Sequence, residues 1–200
     1  MILQSEQLLN TLYTGREKIL QNLRGDEIEV YLFLRKQFKE TNVSKNLVFQ
    51  YMFRKYFVMD RWTDDQYTTQ FFKTMQRLRP NAHIDQIPSV CKDLKLHDKT
   101  GKIHFSYATK MFHLLNPEIP IYDSMVAKVF RFNPPYSRQE DIKLNKYLEF
   151  LKHISKCYEA IKKEDKIDSL IASIQEEYPQ IRKAGYTKVM DFMIWSLNRN

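Results

Sequence analysis

Residues 120–130 read PIYDSMVAKVF: a proline, two β-prone residues, then an aspartate that opens a short amphipathic pattern. An aspartate in that position has two uses. Its side-chain oxygen can cap the orphan backbone N–H groups of a helix start. Alternatively, a carboxylate fixed at a helix end can stabilise a developing positive charge or orient an attacking water. The two uses are compatible, and the residues alone leave both open. Other chemistries find no support in type or spacing. There is no glycine-rich phosphate loop, no HExxH, no Gly-x-Ser-x-Gly and no Asp/Asn-rich calcium loop. Histidines 83, 97, 104, 113 and 153 do not share ligand spacing, and Cys91 and Cys157 belong to no CxxC or Cys/His pair. No metal and no cofactor is expected. His113, flanked by Phe112 and Leu114, reads as a hydrogen-bonded structural histidine.

The elements that must position Asp123 read as helices. Four glycines and seven prolines in 200 residues, with no low-complexity tract, disfavour a turn-rich β fold and any flexible linker. An apolar stripe at helical spacing fills the first 24 residues, with a break near Thr14 and Gly15. DEIEVYLFLRKQFKE places acids first and bases last, as a helix dipole favours, and predicts a helix to about Glu40. LVFQYMFRKYF is apolar nearly all round, which predicts a central, buried helix. Thr63 with Gln66, and Ser137 with Glu140, are in capping-box register. Pro80 stops one helix and Pro88 interrupts the next stretch. HFSYATKMFHLL, the long stripe from Leu144 to Ile161, KIDSLIASIQEEY and YTKVMDFMIWSLNR complete an all-α chain of about nine or ten helices. DFMIWSL suits either core or an interface.

Lys plus Arg exceed Asp plus Glu by 32 to 24, a net charge of +8 that attracts polyanions, nucleic acid foremost. The basic residues are spread along the chain, which suggests a folded basic face rather than a basic arm. Two isolated cysteines suggest a reducing compartment. No signal-peptide pattern and no unbroken apolar run of about 18 residues is present, so a cytoplasmic protein without a membrane span is expected. Arg54 and Lys55, set between aromatics, offer the pattern of a single-strand stacking platform, although packing explains the aromatics as well.

The order of elements in GKIHFSYATKMFHLLNPEIPIYDSMVAKVF, residues 101–130, resembles the catalytic segment of the helix-hairpin-helix DNA glycosylase superfamily. In that family an alanine-bearing hairpin helix leads through a loop to a proline, an apolar residue and an invariant aspartate. Pro120, Ile121, Asp123, Val126 and Val129 match that end of the pattern, and Ala108 matches the helix before it. More weakly, LVFQYMFRKYF is similar to the buried helix that begins the family's core.

The resemblance implies a single two-lobed helical domain, lobe one about 44–135 and lobe two about 1–43 plus 137–200, with a cleft between. It implies Asp123 as the catalytic carboxylate for hydrolysis of an N-glycosidic bond in DNA. Lys102, Lys110, Lys128 and Arg131 would hold phosphates, and Phe105 and Tyr122 would line a base pocket. Departures from the family are specific. The Leu-Pro-Gly-x-Gly hairpin is reduced to TGKIHFSY with Gly101 alone, the Schiff-base lysine position falls near Ser106, and the four-cysteine cluster motif is absent. A monofunctional, cluster-free enzyme is the expectation. The alternative is a non-enzymatic nucleic-acid-binding or protein-interaction module on the same scaffold.

Overall fold

The computed structural model describes residues 2–199 and is all-helical. Eleven α-helices follow in order: α1 Ser5–Thr14, α2 Arg16–Asn22, α3 Gly25–Glu40, α4 Leu47–Tyr56, α5 Asp65–Leu78, α6 Ile87–Lys95, α7 Phe105–Leu115, α8 Ser124–Val129, α9 Glu140–Ile161, α10 Asp165–Glu177 and α11 Tyr186–Asn198. Short 3-10 turns at Ile84–Gln86 and Pro179–Lys183 complete the described elements. The extra helix relative to the sequence reading comes from the amino terminus, where Gly15 divides one stripe into α1 and α2. A Cβ at Gly15 would lie 2.2 Å from Leu197 Cδ2, so the Leu197 side chain of the carboxy-terminal helix fills the space that a larger residue would take.

Two helices occupy the centre. α7 buries Phe105, Ala108, Met111 and Phe112, and α11 buries nearly every residue from Thr187 to Ile194. The DFMIWSL segment is therefore core. Around them α11 packs on α2 and α8, α6 on α7 and α9, and α1 on α9 and α10, with one continuous apolar cluster running through all of them.

α4 is not the buried central helix that its composition predicts. It buries Phe49 and Phe53, with Phe57 just beyond its end, while Leu47, Val48 and Tyr51 are 76%, 63% and 52% exposed. The three phenylalanines repeat every four residues; Phe49 meets Phe72 of α5, and Phe53 meets Phe71 and Phe72 at 5.5 and 5.6 Å, edge-on or tilted, while Phe57 packs on Phe53. Such pairs add about 0.5–1.5 kcal/mol each beyond burial and select this stripe over the aliphatic one. Helix starts also differ by a residue or two. Asp64, not Thr63, caps α5 by accepting from Tyr67 N at 2.8 Å, because a carboxylate is at least as good a cap as a hydroxyl. Ser137 accepts from Gln139 N at 3.1 Å before α9 instead of forming a box with Glu140. Pro88 opens α6 from its first turn, where its missing N–H costs nothing.

Candidate active-site cleft

Asp123 caps α8 from extended backbone, its Oδ1 accepting from Met125 N and Val126 N at 3.0 Å each. Both donors fall on one oxygen, and among the described residues Oδ2 takes no hydrogen bond. The loop that delivers Asp123 is tied down along its length. His113 Nδ1–H donates to Ile119 O at 2.7 Å, and Thr109 Oγ1 accepts from Tyr122 N at 3.1 Å. The Asp191 carboxyl, on α11, lies against the Ile121 N–H. His113 is fully buried, takes a hydrogen bond from Tyr31 at 2.9 Å through Nε2, and is held neutral by burial, its pKa pushed down to about 3. The structural reading of His113 is correct.

Asp123 opens onto a cleft of about 1250 Å³. Residues 101–107 and parts of the segments 56–62 and 122–138 form much of the wall, and Glu27, Lys110, Glu140, Lys143, Tyr147, Trp195 and Arg199 form the rest. Lys102, Lys110 and Lys128 line it, as do Phe105 and Tyr122. The segment before α7 is not a glycine hairpin. Its turn is organised by Asp98, whose carboxylate accepts from Thr100 N and Oγ1 and Lys102 N and pairs with His104 at 2.7 Å. Burial opposes the charge, but these donors outweigh it and hold Asp98 well below the usual carboxylate range. Only Gly101, at φ +61°, needs the left-handed region there.

Three of the anticipated roles change. Arg131 lies outside the cleft wall, exposed and at φ +55°, because α8 ends after six residues and the chain reverses at once. Lys110 is on the cleft floor, only 7% exposed, with Nζ 2.8 Å from Ser106 Oγ and 5.7 and 5.4 Å from the Phe57 and Tyr107 rings. Burial lowers its pKa, against the negative fields of Asp123 and Asp191. It is thus not an outer phosphate contact. Phe105 and Tyr122 are wall rather than open pocket. Phe105 stacks on Tyr147 at 4.9 Å, Tyr122 meets that ring at 5.0 Å, and both are more than nine-tenths buried.

The sequence reading did not single out Lys188 and Asp191, one helical turn apart on an otherwise apolar helix. Both are completely buried. Lys188 Nζ lies 4.0 Å from the Trp195 ring centroid and 4.6 and 4.9 Å from those of Phe192 and Tyr31. It has no hydrogen-bond partner among the described residues. Burial lowers the Lys188 pKa and raises that of Asp191, whose Oδ1 accepts from Tyr158 at 3.1 Å. The polar pair at i, i+3 was the available signal. Glu27 and Arg199 form an ion pair at the cleft edge. No group of three or more His, Cys, Asp or Glu among the described residues could hold a metal, and no helix there is long and apolar enough to cross a membrane.

No family model matches the chain, and neither a curated protein nor a solved structure matches it.

Proposed function

We propose that the chain binds nucleic acid in this cleft and hydrolyses an N-glycosidic bond there, with Asp123 as the essential carboxylate. The observation that carries the reading is the setting of Asp123: one oxygen is held by two backbone donors, and the residue lines a cleft with Lys102, Lys110 and Lys128. In the reaction the base departs with the bonding electron pair, C1′ gains oxocarbenium character, and water adds to C1′, its released proton ending on the departed base. A fixed carboxylate beside C1′ stabilises that charge and takes part in orienting the water. The volume exceeds the range of about 300–1,000 Å³ usual for small-ligand sites, which leaves room for an extruded nucleotide. Asp123→Asn is expected to abolish base release from a panel of damaged and mismatched duplexes and single strands while the circular dichroism spectrum is unchanged. Absence of base release by the wild type across the panel removes the enzymatic reading and leaves a binding module.

Lys110 supports a second reading. Its amine lies on the cleft floor beside Ser106, has a lowered pKa, and among the described residues has no carboxylate within ion-pair distance. Attack of the Lys110 amine, once deprotonated, at C1′ with departure of the base, followed by opening of the C1′–O4′ bond, would give an iminium that borohydride reduces to a stable protein–DNA adduct. Such an adduct, lost in Lys110→Arg, supports this route. Base release without it supports hydrolysis by water.

A further inference from the structure

The exposed face of α4 continues into the cleft. Tyr51 is 52% exposed with Lys55 Nζ 5.5 Å from its ring centroid, and Val58 and Trp62, 58% and 61% exposed, both line the cleft mouth. The turn that presents them is strained. Val58 adopts φ +54°, a left-handed conformation that a β-branched side chain strongly disfavours, and the Tyr107 hydroxyl donates to its carbonyl at 3.0 Å. Observed strain of this kind is retained where the displayed side chains have a use. Tyr51 sits midway along α4, and Val58 and Trp62 follow within six residues of its end at Tyr56.

Resting on the reading of the cleft as a nucleic-acid site, we propose that this face is a track for an unpaired strand, with bases stacked on Trp62 and Tyr51 leading to the cleft. Exposed aromatics interleaved with cations are what a sequence-tolerant single-strand site needs, since every base offers a π-face. Arg54 and Lys55 supply the cations. Both pair with Asp60, at 3.3 and 2.8 Å, so Asp60 competes with phosphate for them. Leu47 and Val48 extend the same face but offer no ring to stack on, and they lie outside the track.

The test titrates the full chain with an oligothymidylate of about 15 nucleotides and with a duplex of equal length, read by tryptophan fluorescence and anisotropy. Trp62→Ala and Tyr51→Ala are each expected to weaken oligothymidylate binding about tenfold. Asp60→Asn is expected to tighten it severalfold and steepen its salt dependence. The double substitution of Leu47 and Val48 by Ser is expected to leave it within about twofold of wild type. All five side chains are at least partly exposed, so the variants should fold, and thermal midpoints check this. Wild-type affinity in both aromatic variants overturns the track while leaving the cleft reading intact. So does a loss that follows Leu47 and Val48 instead. Failure of both nucleic acids to bind wild type at low salt overturns the track and the cleft reading together.

Discussion

Two backbone N–H groups grip Asp123 Oδ1, and that grip separates the residue's mechanical role from its chemical one. Asparagine keeps a capping oxygen, so Asp123→Asn should change stability little. Asp123→Ala should lose about 1 kcal/mol in a urea titration, the usual value of an N-cap. A chemical role is then visible as activity lost in both variants but stability lost in one. His113 permits an equally clean test of pH dependence. Its folded pKa, about 3, lies below the ordinary 6.5. Between those values the unfolded chain binds a proton that the folded chain excludes, so acidification removes up to about 1.4 kcal/mol of stability per pH unit. Asp191, raised by burial, works in the opposite sense above its ordinary pKa, and Asp98 adds to the loss only below its own. The comparison with a variant isolates the imidazole because both carboxyls remain. His113→Gln should be less stable at pH 7, and its drop in urea midpoint from pH 7 to pH 5 should be smaller than that of wild type. An equal or larger drop would show that the imidazole does not carry the effect.

At the level of elements, the site depends on α7 and α11, which hold the loop before α8 from either side. α11 begins at Gly185, with φ +85° and ψ 154°, a region open to glycine and almost nothing else, although no atom blocks a Cβ there. Gly185→Ala should therefore cost about 1–3 kcal/mol through backbone strain alone, read as a lowered denaturation midpoint. An unchanged midpoint would mean that the start of α11 relaxes freely. The same elements show what a sequence discloses. α8 and its cap were legible because Asp123, Met125 and Val126 interact within four residues, and the all-helical class followed from scarce glycine and persistent stripes. α4 was misread because two stripes, Phe49-Phe53-Phe57 and Leu47-Val48-Tyr51, both fit its period. Only the phenylalanines of α5 decide between them. The depth of Lys110 and Lys188 was not legible for a related reason: whether a lysine stem ends in water depends on helices distant in sequence, here α4, α3 and the loop before α8. Asp98 went unremarked because its four donors belong to a turn, where periodicity carries no information.

Across the whole molecule the excess of eight positive charges is unevenly useful. The cleft wall carries six cations, Lys102, Lys110, Lys128, Arg138, Lys143 and Arg199, against three carboxylates, Glu27, Asp123 and Glu140. Arg199 is engaged by Glu27, and Glu140 by Lys95 from outside the wall. Lys110 is buried and turned to Ser106. Among the described residues, the wall cations with neither an ion-pair partner nor a buried amine are therefore Lys102, Lys128, Arg138 and Lys143, drawn from both sides of Asp123 in the chain. A strand bound there should release about one counterion per phosphate met, so its affinity should fall linearly on a log–log plot against salt. Replacing Lys102 and Lys128 together by Ala removes two such contacts and should reduce that slope by about 1.4 for a single strand. Arg131→Ala, by contrast, should leave the slope unchanged, because its side chain lies off the cleft wall. If Arg131→Ala flattens the slope as much as the double lysine variant does, charge anywhere on the surface suffices and the cleft is not where the phosphates lie.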